Sequence, residues 1–249
     1  MKIILIVGLV FALSPCCAPV SSAAPPSLDA ACTAKSAQNL EAVLDSMDCA
    51  AATFHAAQTD FVWDQYESVV KDTTEQKGVM YIRKSGGKME MAADVHEPPD
   101  QKKYLLYSGG KAQVFQPSIN QVTTYDPGAN QEALQSFMVL GFGGRGHDLL
   151  HQFEVKFGGS EKINGIETGK LELTPQSDRV RGMFDRILLW IDPARGVSVQ
   201  QKFLEPASGN FRLVVYNNIQ INAAKVPDGV FSLKGRVNGK TQYVNPPKM

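Results

Sequence analysis

Between Leu188 and Leu233 the chain carries three apolar-polar alternating runs separated by two turn signals, and it closes on Pro227-Asp228-Gly229-Val230-Phe231. Period-two alternation bounded by Gly, Pro and Asp is the pattern of half-buried strands joined by tight turns. A segment of this kind commits its half of the chain to an antiparallel sheet. It also lies far behind an apparent export signal and holds no catalytic constellation, which points to binding or carrying.

The same period runs upstream. Phe61 and Trp63 alternate with Val62 and Asp64, Val79 to Lys84 reads as a second strand, and Lys88 to Asp94 as a third across the turn Ser85-Gly86-Gly87. Tyr104 to Tyr107 and Ala112 to Gln116 form a hairpin around Ser108-Gly109-Gly110, and Gln121 to Tyr125 follows. After Asp126-Pro127-Gly128, strands resume at Glu154 to Phe157, Gly169 to Thr174, Phe184 to Ile191, Val197 to Leu204 and Phe211 to Ile221. Roughly ten short strands joined by tight turns predict an α+β, mainly β chain with one antiparallel sheet. Strand twist curls a sheet of that size into an incomplete barrel with an apolar hollow. The pairs Phe61/Trp63, Met89/Met91 and Leu171/Leu173, with Val197/Val199/Phe203 and Phe211/Leu213/Val215, are expected to share the apolar face.

Helical spacing is confined to three places. Leu40, Val43, Leu44 and Met47 fall at i, i+3, i+4 and i+7 within Ser36 to Ala57. Asn130 to Leu140 and His147 to Phe153 read as two further helices, joined by the Gly-rich loop Gly141 to Gly146, whose glycines read as freedom of motion. These helices are expected to cover the concave face.

Lys2 followed by the apolar run Ile3 to Leu13 and the small residues Ser21-Ser22-Ala23 has the layout of a secretory signal. Residues 1–23 are read as a signal peptide, 24–35 as a disordered lead-in, 36–234 as the folded domain and 235–249 as a polar, loose tail. Two alternatives remain: a retained membrane anchor, and lipidation of Cys16 behind Leu13-Ser14-Pro15. Cys32 and Cys49 survive cleavage, and are either bridged or free. The formal net charge is zero and no basic block occurs, which argues against a nucleic-acid footprint.

The chemical motifs are thin. His147-Asp148-Leu149-Leu150-His151 has the spacing of a two-histidine zinc helix, but Asp148 stands where a longer glutamate belongs and no third ligand is evident. Gly141-x-Gly-Gly-x-Gly follows a helix rather than a strand, unlike a dinucleotide loop. Arg179, Arg181 and Arg186 read as a solvated basic face. No enzyme activity, cofactor or metal is expected.

Several of these segments together resemble the LolA-like family of periplasmic outer-membrane lipoprotein carriers. Trp190-Ile191-Asp192-Pro193-Ala194-Arg195-Gly196 is similar to the family's strand-D-P-x-x-G turn. Asn218-Ile219-Gln220-Ile221-Asn222 with Val226 to Phe231 is similar to its closing element. Thr53-Phe54 leading to Phe61, and Gly78 to Lys84, resemble its first helix and first two strands. The resemblance implies an incomplete barrel lidded by helices, which binds lipoprotein acyl chains and moves them toward the outer membrane. It implies an inner-membrane exporter and an outer-membrane receptor as partners, in the periplasm, and a monomer is expected. The family's lid arginine precedes a proline on the second strand; here Lys84 falls at that position, with Arg83 on the opposite face. A lipid-sensing or lipid-anchored interaction protein of the same fold is the alternative. The expected lipid-binding residues are Phe61, Trp63, Met80, Ile82, Met89, Met91, Phe137, Leu140, Phe142, Leu171, Leu173, Leu189 and Val199, with Arg83 and Lys84 as lid contacts.

Overall fold

A computed structural model describes residues 37–126, 139–222 and 226–246. The first described element is helix α1, Leu40–Thr53. Asn39 caps it, its side chain accepting from the Ala42 N–H at 2.9 Å, and Glu41 places negative charge in the first turn. Its buried stripe is Val43, Leu44, Ser46, Met47 and Ala51.

Twelve strands then form one sheet: β1 (Ala56–Glu67), β2 (Asp72–Ser85), β3 (Lys88–Glu97), β4 (Lys103–Ser108), β5 (Lys111–Gln116), β6 (Gln121–Tyr125), β7 (Phe153–Ile163), β8 (Ile166–Pro175), β9 (Arg186–Asp192), β10 (Val197–Leu204), β11 (Phe211–Ile221) and β12 (Gln242–Val244). Their order is β12-β6-β5-β4-β3-β2-β1-β11-β10-β9-β8-β7. Two hairpin meanders are thus joined where β1 pairs with β11, Phe61 facing Tyr216 and Trp63 facing Val214. All pairings are antiparallel except β12 on β6. The sheet stays open, with β7 and β12 at its edges.

Alternation sorts the side chains onto two faces. Met80, Ile82, Met89, Met91, Leu171, Leu173, Ile187, Leu189 and Ile191 join α1 and Phe142 in a large inner cluster. Ala92, Tyr104, Leu106, Phe115 and Val122 form a smaller outer cluster, covered by Phe231 and Leu233 from the C-terminal segment.

The turn residues have identifiable tasks. Asp192 accepts from the Ala194 N–H at 2.8 Å and holds Arg195 at 2.6 Å, while Gly196 takes a left-handed φ of 60°. A Cβ on Gly196 would lie 2.2 Å from the Ser46 carbonyl of α1. Asn222, also left-handed, accepts from the His55 and Ala56 N–H groups and donates to the Thr53 carbonyl, so the end of β11 caps the end of α1.

Several expectations change. Helix α1 stops at Thr53, and β1 already begins at Ala56. On β11 the inner face carries Arg212, Val214 and Tyr216, not Phe211, Leu213 and Val215; Val214 and Tyr216 are the buried pair. Apolar residues occupy both sides of that strand, so alternation alone leaves its phase open. Part of the tail after Gly235 is ordered, since Gln242–Val244 pairs with Gln121–Thr123. The signal region, the lead-in, Cys16 and Cys32, and most of the Asn130 to Leu140 helix including Phe137, lie outside the described residues. Cys49 is disulfide-bonded.

Candidate functional site

The inner face is not filled evenly. A cavity of about 150 Å³ is lined by Phe61 and Trp63 (β1), Met80 (β2), Met91, Ala93 and Val95 (β3), Leu105 (β4), Phe184 just before β9, Gln201 and Phe203 (β10), and Arg212, Val214 and Tyr216 (β11). Across a flat sheet, β4 and β10 would stand about 24 Å apart at ordinary strand spacing. Both touch this one small hollow, so the sheet between them is bent around it.

Four expected lipid contacts, Phe61, Trp63, Met80 and Met91, meet in this wall. Leu171, Leu173 and Leu189 are fully buried in the same inner cluster but away from the hollow, packed under α1. Gly169 continues their row, and a Cβ there would lie 2.3 Å from the Val43 methyl. Ile82 also packs without lining the hollow. Val199 sits at a β-bulge between Ser198 and Gln200, outside the wall. Met89 and Leu140 line a separate recess with Met47, Val139 and Leu149.

The segment 139–146 closes one side of the wall. The Gln201 amide donates to the Leu140 carbonyl at 2.6 Å and accepts from the Tyr216 hydroxyl at 3.1 Å. Burial pushes the Tyr216 phenol far up, so it stays a neutral donor. Phe142 meets Tyr216 edge to face, with centroids 4.9 Å apart. A Cβ on Gly141 would strike Ser198 at 2.6 Å, and one on Gly143 would strike the Phe54 ring at 2.5 Å. Gly141 and Gly143 both have left-handed φ. Gly141 and Gly143 therefore serve close approach rather than freedom of motion.

Arg83 and Lys84 part as strand alternation requires. Arg83 lies on the outer face, 2.6 Å from Glu90 and 2.5 Å from Asp228, with its guanidinium 4.1 Å from the Phe231 ring centroid. It clamps the C-terminal segment to the sheet. The Lys84 N–H donates to the His55 carbonyl at 2.8 Å, and its side chain is exposed.

The two-histidine segment is a 3₁₀ turn, His147–His151. Three residues per turn put positions i and i+4 about 120° apart, which removes the shared face that a zinc helix needs. His147 instead joins α1, with Nδ1 2.8 Å from Asp48 and Nε2 3.2 Å from Glu41. Burial opposes its charge, but the hydrogen bonds to the two carboxylates prevail and raise its pKa. Glu41, Asp45 and His147 offer oxygen and nitrogen atoms within 4.8 Å of one another. Among the described residues, no helix is long and apolar enough to cross a membrane.

Ala93, Val95, Leu105, Phe184, Gln201, Phe203, Arg212, Val214 and Tyr216 are wall residues that sequence reasoning did not select. Ala93, Val95 and Phe203 extend strand faces that alternation already points inward, whereas Arg212, Val214 and Tyr216 lie on the face of β11 opposite to the one expected.

No protein-family model matches the chain, and no curated protein matches it in sequence. Solved structures do. An uncharacterized conserved protein from Thermus thermophilus aligns with a TM-score of 0.51 at 10% identity, over 82% of this chain and 96% of that one. An outer membrane lipoprotein-sorting protein domain, described as putative, from Vibrio parahaemolyticus aligns at 0.47 and 11%, over 79% and 97%. A LolA superfamily protein from Nitrosomonas europaea aligns at 0.38 and 15%, over 78% and 97%. The likeness that exceeds a TM-score of 0.5, to the Thermus thermophilus protein, is one of fold.

Proposed function

We propose that the protein is a non-catalytic periplasmic carrier that takes acyl chains of lipoproteins into the hollow of its bent sheet and moves them toward the outer membrane. An inner-membrane exporter would load it and an outer-membrane receptor would unload it. The observation that carries this reading is the apolar cavity lined by Phe61, Trp63, Met80, Met91 and Phe203 at the bend. The strand-turn and closing signatures in the sequence support it.

The driving force is adequate. At about 0.8 kcal/mol per buried methylene, a chain of roughly sixteen carbons resists water by on the order of 12 kcal/mol. The size of the hollow sets a condition. A cavity near 150 Å³ holds a molecule about as large as benzene, whereas ligand pockets usually span about 300–1,000 Å³. The hollow as it stands takes the end of a chain. Sheltering a whole chain requires the cover over the wall to move, and the Gln201–Leu140 and Phe142–Tyr216 contacts are the ones that opening breaks. Segment 139–146 is the lid in this reading.

Native mass spectrometry of protein purified from the cell envelope tests it. Co-purifying lipoprotein is the expected result. Bound free phospholipid favours a lipid sensor of the same fold, and a chain that never carries lipid refutes both.

A further inference from the structure

The hollow is apolar except at Gln201, the Tyr216 hydroxyl bonded to it, and Arg212, and Arg212 is not fully satisfied. Its Nη2 lies 2.9 Å from Glu205, and its guanidinium carbon is 5.6 Å from the Phe184 ring centroid. Its Nε is buried and has no hydrogen-bond partner. A buried donor left without a partner costs about 1–3 kcal/mol, more when the group is charged.

A second cation stands nearby. Lys103 precedes Leu105 by two residues on β4, so its side chain shares the inner face with that wall residue. Its ammonium is 5.9 Å from the Trp63 ring centroid, again against the wall. Among the described residues, no carboxylate lies within ion-pair distance of it. Burial lowers its pKa, and the Arg212 charge lowers it further. Two cations that feel each other, with Glu205 as the counter-ion at Arg212, leave an excess of positive charge beside an apolar hollow. The Arg212 side chain is about one-third exposed, so the charge sits where the hollow meets solvent.

From this arrangement we infer that Arg212 and Lys103 form a head-group site for a single-chain anionic amphiphile, whose carboxylate or phosphate meets the two cations while its tail enters between Trp63, Leu105 and Val214. The inference rests on the reading of the hollow as an acyl-chain site and extends it to a second ligand class beside lipoprotein chains. An esterified chain brings no charged head, so ligands with a free anionic end gain a contact that neutral ones lack. The guanidinium Nε–H donates to the anion, which fills the vacant hydrogen bond. The anion also relieves the repulsion between the two cations.

The test is a displacement titration of a fluorescent fatty acid by palmitate, by a phosphate-headed lysolipid and by neutral monopalmitoylglycerol. The proteins are the native chain, Arg212→Gln, Lys103→Gln and the conservative Arg212→Lys, each checked for an unchanged melting temperature. The native chain is expected to bind one or both anionic ligands at least tenfold more tightly than the neutral one. Preference between palmitate and the lysolipid identifies the head as carboxylate or phosphate. Each Gln variant should lose at least threefold of that preference, Arg212→Lys should recover part of it, and monopalmitoylglycerol affinity should stay constant. Equal binding of anionic and neutral chains by the native protein overturns the head-group site while leaving the acyl-chain reading intact. Failure of the native chain to bind any of the three ligands overturns both. Should a Gln variant unfold, the native chain's selectivity alone decides.

Discussion

The two arms of the sheet share one inner face but are filled differently. Beneath α1, Leu171, Leu173, Ile187, Leu189 and Ile191 are fully buried, and Gly169 and Gly196 have no Cβ so that the helix can approach. At the bend between β4 and β10, comparable apolar residues surround a hole. The difference teaches that apolar side chains alone do not make a core. The packed arm has a helix whose Val43, Leu44 and Met47 interlock with the strands. At the bend, small residues such as Ala93 stand beside long ones such as Met91 on the same strand face, and the space between the two sides of the bend is left open. Of these two places, the second is where a ligand has something to gain.

Substitutions can break this contrast. The largest effect is expected for Leu171→Ala, which opens a void under α1 and costs about 2–5 kcal/mol, read by urea unfolding. Met80→Ala, beside an existing hole, should fall at or below the bottom of that range; an equal loss at both positions would erase the contrast. Gly169→Ala forces a methyl against Val43 and should cost about 1–3 kcal/mol, with α1 displaced. A neutral result would mean that the helix does not bear on the sheet there.

Ala93→Leu sharpens the same comparison from the other side. Three added carbons enter the hollow, so acyl-chain binding should weaken at least tenfold while the unfolding midpoint holds. Lower stability with intact binding would move the ligand elsewhere.

The smallest effect concerns the clasp between α1 and the segment that follows the loop. His147 has a raised pKa in the folded protein, so its contribution is fully present below the unfolded value, near 6.5, and fades as pH rises through the folded value. The pair is partly exposed, so it is worth less than about 1 kcal/mol. Stability of the native chain relative to His147→Gln should therefore be greater at pH 5.5 than at pH 8.5. A difference independent of pH would show that Asp48 and Glu41 do not hold a protonated ring.

Much of this fold was legible in the chain. Strands at Gln121–Tyr125, Val197–Leu204 and Phe211–Ile221 are where alternation places them, because turns such as Asp192-Pro193-Ala194-Arg195-Gly196 mark their ends. Four wall residues were also readable, since Phe61/Trp63, Met80/Ile82 and Met89/Met91 each alternate cleanly along their strands. The inward phase of β11 was not, because Phe211 through Tyr216 is apolar on both sides except at Arg212. The charged pair was hidden for a different reason. Lys103 and Arg212 lie on strands far apart in sequence, and only the bend brings them to one hollow. Gly141 and Gly143 misled because their role is set by Ser198 and Phe54, residues that no local pattern connects to them.

The chain has two tryptophans, and they report on opposite faces. Trp63 lines the hollow, while Trp190 lies on the outer face with its indole N–H donating to Glu161 at 2.6 Å. Replacing Trp190 by Phe leaves Trp63 as the sole emitter, and titration with a fatty acid brominated near its head then reads occupancy directly. Saturable quenching of Trp63, abolished in the Ala93→Leu background, is the predicted result. Trp63 emission that stays unchanged while the ligand is shown to bind would place the chain outside the hollow and contradict the account.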